Sequence, residues 1–121
     1  MHFDTSSPIY IQIAEYLASL ILRGHYGDGT RIPSARELAV ELEVNPNTVV
    51  RSYALLQEQG VLEVQRGVGY FTTKDATATI KRLRRASFTE KELPAIVKTM
   101  KSLDITVDEL VASIGDLYET Y

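Results

Sequence analysis

Asn45, Asn47 and Thr48 open a segment, NPNTVVRSYALLQEQG, whose apolar residues recur at helical spacing. Short polar side chains at a helix start suit close hydrogen bonding to base edges and phosphate oxygens, and the free N–H groups of the first turn favour anions. Arg51 lies one turn beyond Asn47 on the same helix face. Upstream, Ser34 and Arg36 begin another helical segment; downstream, Arg66 and Gly67 lead the glycine pair of Gly67-Val68-Gly69. Glycines at such a tip let backbone approach a ligand closely. These eight residues are candidates for contact with double-stranded DNA. Each also has a plainer reading: Asn45-Pro46 as a helix cap, Arg36 and Arg51 as solvated arginines paired with glutamates, and Arg66-Gly67 as a simple turn.

The elements that must hold them are legible. PIYIQIAEYLASLILRG places Ile9, Ile13, Tyr16, Leu17, Leu20 and Ile21 at helical spacing, with Ser7 as cap, Pro8 in the first turn and Gly24 at the end. A turn-rich connection follows, with a very short strand expected at Arg31-Ile32. Ser34 and Glu37 form a capping box before a helix to Leu42 that turns Leu38, Ala39 and Leu42 inward. After a break at Glu43-Val44-Asn45, a third helix runs to Gln59 and stops at Gly60, burying Val49, Tyr53 and Leu56. Tyr10, Tyr16, Tyr53 and Tyr70 are expected in the core rather than as stacking platforms. The apolar period then changes to two: Val61–Gln65 and Tyr70–Thr73 read as the strands of a β-hairpin. Two helices joined by a tight turn, followed by a hairpin, describe a winged helix-turn-helix.

From residue 74 the character changes. A helix is expected with Ile80 and Leu83 inward and Lys81, Arg82, Arg84 and Arg85 as a solvated basic face. Thr89 and Glu92 resemble a second capping box, followed by a helix to Leu103 that Pro94 kinks. Thr106 and Glu109 form a third box before a last helix to Tyr118. Leu93, Ile96, Val97, Met100 and Leu103 make one apolar stripe, and Leu110, Val111, Ile114, Leu117 and Tyr118 another. Two short helices cannot bury both stripes against each other, so a partner chain is the natural cover. The expected fold class is mainly α with a small β-hairpin. An N-terminal winged helix-turn-helix over 1–74 is followed by a short C-terminal helical dimerisation tail over 75–121.

Bulk properties exclude several classes. The 121 residues are 45% hydrophobic and 24% charged, which fits a globular chain rather than a disordered one. No apolar run reaches membrane-spanning length, and the first residues lack a secretory pattern. With no cysteine there is no disulfide or thiolate metal site, which suits the cytoplasm. His2 and His25 are isolated, so no metal and no cofactor is expected. No phosphate-cradling loop or nucleophile triad is present, and the chain is not read as an enzyme. The net charge is −3, and residues 1–73 carry five arginines, no lysine and eight acids. Any DNA contact must therefore gather a few arginines on one face rather than use a diffuse basic field. That charge favours the competing reading, a winged-helix module that binds protein.

PIYIQIAEYLASLILRG followed by RIPSARELAVELEVNPNTVVRSYALLQEQGVLEVQRGVGYF resembles the gluconate-repressor (GntR) family of bacterial regulators across residues 8–73, and the short helical tail resembles its YtrA-like subfamily. The resemblance implies a homodimer on a palindromic operator, usually a repressor and often of transporter operons. Ser34 and Arg36 match the second-helix contact positions, Asn45, Asn47 and Thr48 the recognition-helix start, and Gly67 the wing glycine. Many members carry a basic residue at Pro46 and an arginine at Val50; Arg51 is the nearest substitute here. The tail is too short for the larger ligand-binding domains of many members, and no residue names a small-molecule effector.

Overall fold

The computed structural model describes residues 1–121, which form two compact units, Met1–Leu83 and Arg84–Tyr121. In chain order the elements are α1 (Ile9–Leu22), α2 (Ala35–Leu42), α3 (Pro46–Glu58), β1 (Leu62–Gln65), β2 (Gly69–Thr72) and α4 (Ala76–Ser87). A π-helical turn (Phe88–Glu92), α5 (Leu93–Ser102) and α6 (Val107–Thr120) complete the chain.

In the first unit, α1 and α2 both pack on α3, and the β1–β2 hairpin follows as the wing. Ile13, Leu17, Ile21, Leu38, Val49, Tyr53, Leu56 and Val61 are nearly or wholly buried, as the helical spacing requires. Of the other α1 stripe residues, Tyr16 and Leu20 are half-buried and Ile9 is exposed, at 45%. It sits in the first turn, ahead of the part of α1 that the core covers. Ala76 and Ile80 of α4 also belong to this core, which therefore extends past the wing.

Helix ends follow their local chemistry. At α1, Pro8 itself is the N-cap and no side chain caps the helix. Ser7 is not the cap expected for it; its carbonyl instead accepts from Gln12 Nε2 at 2.7 Å. Gly24 and Gly60, at φ of 85° and 81°, let the N–H groups of His25 and Val61 reach back to the carbonyls of Leu20 and Leu56. Between α2 and α3, Glu43 takes the same left-handed role at φ 57° without being glycine.

The wing pairs antiparallel from Leu62↔Thr72 to Gln65↔Gly69. Arg31 adds a single bridge to Phe71, the short strand expected at this point. Thr72, wholly buried, donates its hydroxyl to the Gly27 carbonyl at 2.6 Å and accepts from the Thr30 N–H at 2.9 Å, tying this edge to the loop after α1.

The second unit keeps the capping box of Thr106 and Glu109 at the start of α6. The box expected at Thr89 and Glu92 does not form. The backbone is helical on both sides, at Ser87 and Leu93, so no orphan N–H group needs a cap. Thr89 Oγ1 instead donates to the Arg85 carbonyl at 3.1 Å. The π-helical turn ends at Glu92, two residues before Pro94, and contains Glu90, whose carbonyl a proline ring at 94 would meet in a regular α-helix.

Candidate nucleic-acid interface

The start of α2 is built by reciprocal hydrogen bonds. Ser34 Oγ accepts from the Glu37 N–H at 3.1 Å, and Glu37 Oε1 accepts from the Ser34 N–H at 3.2 Å. The Ser34 backbone N–H and then its hydroxyl, both bonding to the carboxyl, with Arg31's positive charge adding to them, hold the Glu37 carboxyl below its ordinary range. Arg36, in the same turn, is exposed.

The start of α3 uses a different cap. Asn45 Oδ1 accepts from the Asn47 N–H at 2.8 Å, so the Asn45 amide NH2 remains a donor, and Pro46 fills a position that needs none. Asn45 and Asn47 are exposed and Thr48 is half-buried, while Val49, one residue on, is completely buried. One face of this helix is thus spent on the core and the other carries short polar groups.

Three residues of α3 hold it against its neighbours. Ser52, wholly buried, donates to the Tyr10 carbonyl at 2.7 Å and to the Thr48 carbonyl at 3.1 Å. The Arg51 guanidinium lies 3.9 Å from the centre of the Tyr10 ring. This is a cation–π contact with a group still on the surface. Tyr53 donates to the Pro33 carbonyl at 2.8 Å, and its ring meets Tyr70 of β2 edge-on at 4.8 Å. Burial pushes the Tyr53 phenol well above its ordinary pKa, so it stays a donor. Pro33 precedes Ser34, so one buried side chain joins the recognition helix, the approach to α2 and the wing.

At the wing tip, Arg66 and Gly67 are exposed, and the Val68 N–H closes the turn onto the Gln65 carbonyl at 2.9 Å. Gly67 sits at φ 74°, which only glycine adopts freely.

The expected contact residues thus fall on three segments of the first unit, all exposed except Thr48. Sequence reasoning placed Tyr10 in the core; it is half-buried and lies under Arg51. It also missed the positioning roles of Ser52 and Tyr53. Their partners lie 42 and 20 residues away, beyond any local pattern. In the second unit, the two apolar stripes are largely uncovered. Leu93, Ile96, Val97 and Leu103 are 39–63% exposed, and Val111, Ile114, Leu117 and Tyr118 are 50–81% exposed; Met100 is buried and Leu110 half-buried. No group of three or more His, Asp or Glu side chains is arranged to hold a metal ion.

The profile of bacterial regulatory proteins of the gntR family matches residues 9–72. The HTH-type transcriptional repressor YtrA of Bacillus subtilis is 40% identical over 76 residues, covering 63% of this chain and 58% of that protein. The chain thus spans about three fifths of the length of the curated relatives it matches. A GntR-family regulator structure from Bacteroides thetaiotaomicron superposes with a TM-score of 0.82 at 36% identity, covering 93% of this chain and 98% of that one. The DNA-binding domain of AraR in complex with operator ORX1 superposes at 0.55 with 27% identity, covering 60% and 93%.

Proposed function

Because this chain belongs to the gntR family of bacterial regulatory proteins, we propose that it is a sequence-specific DNA-binding transcription regulator acting in the cytoplasm, a repressor on a palindromic operator, and not an enzyme. The observation that carries this is α3: its inner face is fully buried at Val49, Ser52 and Tyr53, while Asn45 and Asn47 stand exposed at its start. That is the geometry of a helix held for insertion into a major groove. The operator complex of AraR supports DNA as the partner, and the name of the B. subtilis relative supports repression. No helix is long and apolar enough to cross a membrane.

Ser34 and Arg36 contact the DNA from α2, Asn45, Asn47, Thr48 and Arg51 from α3, and Arg66 and Gly67 from the wing. Arg36→Ala and Asn47→Ala are each expected to weaken operator binding by about 1–3 kcal/mol where the contact is to a base. Melting temperature stays unchanged, since both side chains are exposed. Fluorescence anisotropy with parallel melts reads this out, and unchanged affinity in both variants contradicts the assignment.

The regulator works as a homodimer held by residues 75–121. One winged helix reads only a few base pairs, and two recognition helices must fall about 34 Å apart to read a palindrome. The uncovered stripes of α5 and α6 supply the apolar surface for a second copy. A reading as a protein-binding module draws on the net charge of −3 over residues 1–73. Salt separates the two, because phosphate contacts release counterions and make affinity fall steeply with ionic strength.

A further inference from the structure

We propose that Arg31, on the edge of the wing, is a phosphate-binding residue of the DNA interface whose guanidinium is seated against Gly69. The inference rests on the reading of the chain as a DNA-binding regulator. It adds a contact residue from a loop that the helix-turn-helix pattern does not include.

The backbone of Arg31 is fixed beside the wing. Arg31 bridges Phe71, the Ile32 N–H donates to the Tyr70 carbonyl at 3.0 Å, and the Thr72 N–H donates to the Thr30 carbonyl at 2.8 Å. From there the side chain lies against the turn. A Cβ placed on Gly69 would sit 3.1 Å from Arg31 Nε and 3.3 Å from one of its terminal nitrogens. Gly69, at φ 146°, takes a backbone conformation that side chains rarely adopt, and a Cβ there would crowd the guanidinium by a few tenths of an ångström. The same guanidinium is close enough to α2 that its charge reaches Glu37, in the turn that presents Arg36. The Arg31 backbone thus pairs with β2, the strand that follows the turn of Arg66 and Gly67, and in the chain it lies three residues before Ser34.

Chemistry favours a phosphate as its ligand. Arg31 is exposed, and a guanidinium offers five N–H donors in a planar fork that matches phosphate oxygens. The carboxylate of Glu37 is already engaged by the Ser34 N–H at 3.2 Å as part of the cap. In a unit with eight acids and five arginines over residues 1–73, one more arginine at the groove is a substantial share of the available positive charge.

The test uses the full chain. The wild type first enriches a duplex from a randomised library. Arg31→Ala and Arg31→Lys are then titrated against that duplex and a scrambled one across salt, with melting curves alongside. Arg31→Ala is expected to weaken binding to both duplexes by about 3–30-fold and to reduce the slope of log affinity against log salt by about one. Arg31→Lys keeps the slope, and both variants melt like the wild type. Unchanged affinity and slope in Arg31→Ala overturn the proposal. So does a loss of affinity with an unchanged slope, which assigns Arg31 to bracing the wing. If the wild type enriches no sequence, the regulator reading itself fails, an outcome distinct from a silent Arg31 on an enriched duplex.

Discussion

The two units of this chain treat their apolar side chains in opposite ways. Met1–Leu83 buries fifteen hydrophobic residues in one core cluster, whereas in Arg84–Tyr121 only Met100 is buried and α6 buries none. Both carry apolar stripes at helical spacing, and the pattern alone would rank them equal. The difference is that three helices and a hairpin can enclose a core, and two short helices cannot. A stripe with its own cover stabilises a fold; a stripe without one is surface for association.

The sharpest way to break this contrast is to truncate matched leucines. Leu17→Ala in α1, at a completely buried site, is expected to cost about 2–5 kcal/mol of unfolding free energy. Leu117→Ala in α6, 56% exposed, is expected to cost the isolated chain less than about 0.5 kcal/mol while weakening self-association. Chemical denaturation at low protein concentration compares them, and equal losses would erase the distinction.

Within the first unit, Tyr53→Phe keeps the ring against Tyr70 but leaves the Pro33 carbonyl without its donor. Stability is expected to fall by about 1–2 kcal/mol. DNA affinity is expected to fall as well, because α3 loses its tie to the approach to α2. A melt and an anisotropy titration on the same preparation separate the two effects.

Thr106→Ala removes the α6 cap and is expected to cost about 1 kcal/mol of helix stability, read by far-UV circular dichroism. The smallest effect concerns pH. The Glu37 carboxyl is held below its ordinary value of 4.5 in the folded chain, chiefly by its bonds with Ser34. A depressed folded pKa means the stabilisation is complete above the unfolded value and is lost as pH falls through the folded one. Glu37→Gln, which removes the titrating group, is therefore expected to flatten the acid side of the stability profile and to leave its slope at neutral pH unchanged.

What could be read from the residues divides along the same line as the interactions. Elements set by local chemistry were legible: the capping box of Ser34 and Glu37, the Asn45 cap and the wing turn at Gly67 each depend on neighbours a few residues away. The box imagined at Thr89 and Glu92 matched the same pattern and failed, because a pattern of residue types cannot say whether the preceding turn is already helical. Long-range ties were invisible. Nothing near Ser52 announces the Tyr10 carbonyl, and nothing near Arg31 announces Gly69. The candidate contacts sit at helix starts and at a turn tip, where Ser34 and Asn45 also serve as caps and Gly67 as the turn residue.

In the proposed dimer, α5 and α6 are completed by a second copy. Sedimentation velocity of the full chain and of a variant carrying Ile114→Asp and Leu117→Asp, both at micromolar concentration, tests it directly. Both sites are exposed, so the variant is expected to fold and to sediment as a monomer, whereas the unaltered chain sediments as a dimer. A monomeric full chain, or a variant that remains dimeric, would contradict it.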